Sequence, residues 1–172
     1  TQSRGLGDVY KRQQTNYALK RGFDHVLRRH RLAPRVHVLD GSRHDLGPTA
    51  HRSHQTGRDV DITYYQKRCP RDGCPTRRVK PKQLDRRRQW TLLRYWLEQG
   101  DVEMMFVSHD LQKALYEYAK KKGVPKAKLD KWFQYPRAPG TQEGIIRHWW
   151  GHENHIHVRF RGPSGRRSCR LR

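Results

Sequence analysis

The sequence predicts an α+β fold with a small antiparallel sheet, and three observations carry that expectation. Apolar residues recur at helical spacing in three separate stretches, and short runs elsewhere alternate apolar with polar side chains. The two kinds of segment do not follow one another with the regularity of a doubly wound parallel sheet. The 172 residues are the size of one ordinary domain, and with 33% of them hydrophobic a single modest core is expected.

Taken in order, Asn16 to His30 places Leu19, Phe23, Val26 and Leu27 on one helical stripe with a basic outer face. Val36 to Leu39 reads as a short strand, and Asp40 to Ala50 as a loop rich in Gly, Ser and Asp. Asp59 to Tyr64 is a second strand, followed by a basic loop from Lys67 to Lys82. A helix over Arg86 to Gln99 carries Trp90, Leu93 and Leu97 and stops at Gly100. Val102 to Val107 is a strand, and Leu111 to Lys122 a helix closed by Gly123 with Pro125 beyond. Lys126 to Ile146 reads mostly as loop with room for a helical turn, and His155 to Phe160 as an alternating strand. Residues 1–13 lack periodicity, and Asp8 to Gln13 spells DVYKRQ, one reading frame of a transposon end. They are expected to be a non-native leader, with the domain at 14–162 and a disordered basic tail at 163–172.

Charge narrows the partners without choosing one. Lys and Arg number 38 against 16 Asp and Glu, a formal net charge of +22, which attracts polyanions of any kind. Zinc-finger spacing, ribonucleoprotein aromatics and a basic zipper are all missing, so a specific nucleic-acid partner is not expected; a solvated basic surface is the plainer reading. No apolar run approaches the roughly 20 residues of a transmembrane helix. Cys69 and Cys74 flank a turn-prone Pro-Arg-Asp-Gly, which suits a local disulfide, with zinc binding as the alternative; Cys169 is left over.

Two segments concentrate groups that do chemistry. In the strand His155 to Phe160, alternation puts His155, His157 and Arg159 on one face and Ile156, Val158 and Phe160 on the other. Both imidazoles can approach one metal ion, or one can bind while its neighbour works on a substrate; spacing leaves both open. His152 sits where the preceding turn can fold it over the same pocket. In the second segment Asp59 and Asp61 share one strand face, and Gly57 gives the chain freedom to bring His54 from the loop toward Asp61. A carboxylate with neutral imidazoles suits zinc. Asp59 could equally balance Arg52 or Arg58, and Trp149 and Trp150 could wall a groove or pack in the core. No phosphate-binding Gly-rich loop, nucleophile elbow or HExxH helix competes.

At these residues the sequence resembles the penicillin-insensitive murein endopeptidase family, relatives of the lysostaphin-type and D-Ala-D-Ala metallopeptidases. The hallmark SHQ-x-G-x-D-x-D followed by H-x-x-H-x-H-V-R is matched by Ser53 to Asp61 and by His152 to Arg159, and Val102 to Val107 and Trp132 to Gln134 are also similar. The resemblance spans Ala33 to Phe160. It implies one zinc ion held by His54, Asp61 and His157 at the floor of a groove, in a sheet flanked by helices. It makes His155 the catalytic histidine, assisted by His152, with His51 as an accessory histidine; Asp59 and Trp150 are further expected as accessory groups around the substrate. It implies peptidoglycan as partner, a cross-link from D-alanine to meso-diaminopimelate as the bond cut, and a periplasmic or secreted location. A D,D-carboxypeptidase and a non-catalytic wall-binding module are the alternatives; oligomeric state is not addressed.

Overall fold

The computed structural model describes residues 2–41, 57–70 and 72–162, with side chains from residue 13 onward. The expectations placed on residues 42–50 of the first loop, on His51, Arg52, His54 and Cys169, and on the tail lie outside the described residues. Four helices and five strands follow in the order α1 (Gln2–Arg29), β1 (Val38–Gly41), β2 (Asp59–Thr63), α2 (Arg86–Gln99), β3 (Val102–Phe106), α3 (His109–Lys121), α4 (Lys126–Trp132), β4 (Ile146–Arg147) and β5 (His155–Phe160). This is the α+β class that the patterning predicts.

The strands form one sheet in the order β1-β2-β5-β3-β4. β2 and β5 are its antiparallel centre, in a continuous register from Asp59 opposite Arg159 to Thr63 opposite His155. The sheet is not wholly antiparallel. β4 runs parallel to β3, with Met105 opposite Ile146. Two residues cannot display a period-2 pattern, so this edge is silent in the sequence.

Alternation decides which way the sheet faces. Ile62, Ile156, Val158 and Phe160 are buried beneath it with Met105, and Trp96 of α2 meets Phe160 edge-on at 5.3 Å. Helix α2 is fixed at both ends: Asp85 accepts from the Arg88 backbone N–H at its start, and Gly100 closes it in the left-handed conformation. Helix α1 reaches far upstream of the expected Asn16 and packs closely on α2. A Cβ on Gly22 would stand 2.3 Å from Trp96 Nε1, whose N–H donates to the Ala18 carbonyl at 2.9 Å.

Other departures have local causes. The first strand is expected from Val36 but begins at Val38, with a bulge between Val38 and Asp40; His37 still exchanges hydrogen bonds with Thr63. The stretch expected as loop contains α4, and beyond it Gln134 organises the chain. Its side chain donates to the carbonyls of Pro139 and Thr141 and accepts from the His148 backbone N–H. Cys69 and Cys74 form a disulfide, which removes zinc binding by that pair.

Candidate active site

The face of the β2–β5 pair that carries Asp59, Asp61 and His157 gathers the polar residues that alternation singled out. Pairing sets Asp61 directly opposite His157, and their side chains meet at 2.9 Å between Asp61 Oδ1 and His157 Nδ1. The other ring nitrogen, Nε2, stands 3.1 Å from Asp59 Oδ1, so each nitrogen of one imidazole faces a carboxylate. Asp59 is 1% exposed and also accepts from Arg159 Nε at 2.7 Å. That pairing differs from the expected balance with Arg58, which instead reaches Glu103 at 2.7 Å. Burial pulls the His157 pKa down, but the hydrogen bonds and charges of Asp59 and Asp61 outweigh it and leave it above the ordinary histidine value.

His155 lies one step along the same face. Its Nδ1 is 2.6 Å from Asn154 Oδ1, a contact that favours the tautomer with the proton on Nδ1 and Nε2 as the basic nitrogen. Nε2 is 3.8 Å from Asp61 Oδ2. Asn154 is a site residue that the sequence reading passed over. Its signal was its adjacency to His155, where only a side chain with a carbonyl or carboxylate could select this tautomer.

His152 folds back over the pair as expected. Gly151 adopts φ +83°, open to glycine at no cost, and turns the chain so that the His152 ring lies 4.8 Å from His155 and 6.2 Å from His157. His152 Nδ1 lies 3.0 Å from the Trp150 carbonyl and 3.2 Å from that of Trp149. Burial and then the neighbouring His155 push its pKa down to about 4. Beneath it, Tyr64 donates its hydroxyl to the His152 carbonyl at 2.9 Å.

An apolar wall completes the surroundings. Phe106 of β3 lies 5.3 Å from His152, 5.5 Å from His157 and 5.5 Å from Trp149. Phe106 was also missed in the sequence, because only the register of β3 against β5 sets it opposite His157. Trp149 and Trp150 are 53% and 79% exposed, which excludes the core reading for both. Trp150 stands edge-on to His148 at 5.0 Å.

Among the described residues, no group of three or more His, Cys, Asp and Glu side chains is arranged to hold a metal ion. They do bring together two of the three expected ligands, an oxygen donor from Asp61 and a nitrogen donor from His157. The third, His54, and the accessory His51 lie outside the described residues. This carboxylate and imidazole set is one that zinc accepts.

Comparison with known families gives one match: the model of a family described as penicillin-insensitive murein endopeptidase covers residues 24–172. No curated protein matches the chain.

Proposed function

The chain belongs to the penicillin-insensitive murein endopeptidase family, a family of peptidoglycan hydrolases, and from that premise we propose that it is a zinc peptidase cutting the D-alanine to meso-diaminopimelate cross-link. The observation that carries the reading is the Asp61–His157 pair at the centre of the sheet, with His155 3.8 Å from the same carboxylate.

In this reading His54, Asp61 and His157 hold the ion, with His157 using the Nδ1 atom that already faces Asp61. Zinc, when bound, supplies Lewis-acid polarisation of a carbonyl and lowers the pKa of water from 15.7 to about 7. Asp59 accepts the Nε2–H of His157 and so fixes the ring's tautomer and orientation, the role of an outer carboxylate in histidine metal sites. His155 takes the proton of the attacking water at Nε2 and returns it to the leaving amine nitrogen. Asn154 keeps that nitrogen basic by holding the proton of Nδ1. His152, neutral at pH 7, donates its Nδ1–H to the Trp150 carbonyl, which leaves Nε2 free to accept a hydrogen bond from an N–H of the substrate. Trp149, Trp150 and Phe106 give the stem peptide an apolar wall beside these groups.

A periplasmic or secreted location accords with the disulfide, which persists in oxidising compartments, and no described helix is long and apolar enough to cross a membrane.

The test is cleavage of purified cross-linked muropeptide dimers by the wild type, by chelator-treated protein and by His157→Ala. Conversion of dimers to monomers by the wild type alone is expected. Equal conversion by all three removes the metal assignment, and release of terminal D-alanine without loss of dimers identifies a carboxypeptidase instead.

A further inference from the structure

Away from the sheet face that carries the histidines, helices α1, α2 and α3 enclose a second cleft of about 580 Å³. It opens among Arg29, Arg87, Arg94 and Lys122, with Glu98 as its one carboxylate and Trp90 in its wall. Glu98 is already committed, accepting from Arg94 Nε at 2.9 Å and standing 3.7 Å from Lys128. Arg29, Arg87 and Lys122 have no acidic partner among the described residues; Lys122 instead lies over the Tyr118 ring at 5.7 Å. The Trp90 indole N–H, buried in a residue 4% exposed, has no acceptor either. The three cations without an acidic partner, Arg29, Arg87 and Lys122, are exposed at the cleft and are all hydrogen-bond donors.

Two histidines in the same cleft report its field. His25, stacked on Tyr95 at 4.4 Å, has its pKa lowered by burial and by Arg29 and Arg28, against a smaller opposing pull from Glu98. His30, whose Nε2 lies 3.0 Å from Thr91 Oγ1, has its pKa lowered by burial and by Arg87 and Arg88, with Asp85 opposing less.

We propose that the α1–α2–α3 cleft is a binding site for a multiply charged phosphate oxyanion, separate from the hydrolytic site. Arginine forks match the paired oxygens of such a group, and an anion of two or more charges answers three unpaired cations where a single carboxylate would not. The excess of cationic donors over the single carboxylate in the lining favours a ligand rich in acceptors. The site is independent of the hydrolytic reading, since it uses none of the same residues.

Inorganic pyrophosphate is the probe, with malonate as a carboxylate of comparable span, titrated calorimetrically at about 0.15 M ionic strength to screen diffuse attraction. Saturable binding of pyrophosphate and weaker binding of malonate are expected. The double variant Arg29→Gln/Arg87→Gln is expected to lose at least about tenfold in affinity, the scale of one charge-assisted contact. Lys67→Gln/Lys82→Gln, which removes two charges outside the cleft, is expected to bind as the wild type does. In the unaltered protein, the imidazole resonances of His25 and His30 should move during the titration. Equal losses in the two variants, non-saturable binding, a preference for malonate, or histidine resonances that stay put would each overturn the proposal.

Discussion

A histidine gripped by carboxylates at both nitrogens is drawn toward its doubly protonated form, since each oxygen accepts an N–H. Asp59 is buried and shared with Arg159, so it is held in place by a permanent cation while it holds His157. Replacing it by asparagine keeps the shape and removes the charge that favours an N–H at Nε2. Asp59→Asn is expected to weaken zinc binding about 10- to 100-fold, measured by competition with a chromophoric chelator. Unchanged affinity would make Asp59 merely a partner for Arg159. His152 offers a second measurement. With its pKa near 4 against an ordinary 6.5, the unfolded chain binds more protons than the folded one across that interval. The metal-free protein is therefore expected to lose stability as pH falls from about 6.5 toward 4, and the His152 resonance in a nuclear magnetic resonance titration should stay in its neutral position until near pH 4. These residues differ in how visible they are from sequence. His155, His157, Asp59 and Asp61 announce themselves by alternation. Asn154 and Phe106 act through a neighbour and across a strand pair, relations that no spacing along one segment encodes.

At the level of elements, legibility follows length. The helix over Arg86 to Gln99 is found with its ends intact because several turns of stripe and the Gly after it agree. The two-residue β4 and the segment between α4 and β5 had no such support, since their order comes from one buried amide rather than from a pattern. Gln134 is fully buried and binds three backbone groups, so an isosteric apolar replacement strands buried donors and acceptors. Gln134→Leu is expected to cost about 2–3 kcal/mol in urea denaturation and to depress activity further by loosening His148 and the tryptophans after it. A loss of stability with full activity at low temperature would uncouple that segment from the site. The α1–α2 contact makes the opposite kind of demand. Gly22→Ala meets Trp96 from too near and is expected to cost about 1–3 kcal/mol, read from the same denaturation curves.

The whole molecule sets a strongly cationic body around a site whose own recognition is local. Its +22 charge favours residence on an anionic wall, so sedimentation with purified peptidoglycan is expected to fall steeply as salt rises, while turnover of a soluble dimer changes much less. Equal sensitivity of the two would place the charge in catalysis itself. The disulfide closes only a short loop, and by chain entropy its loss in Cys69→Ser/Cys74→Ser is worth about 2 kcal/mol. The class of fold was readable because several segments agreed on it.

Asp61 and His157 are 96 residues apart, yet they touch in the middle of the sheet. A ribosome that has made the first strand of the pair still lacks the second until almost the entire domain has been synthesised. A chain released before β5 lacks His157, and because β5 is the middle strand of the sheet, the pair and the sheet are completed together.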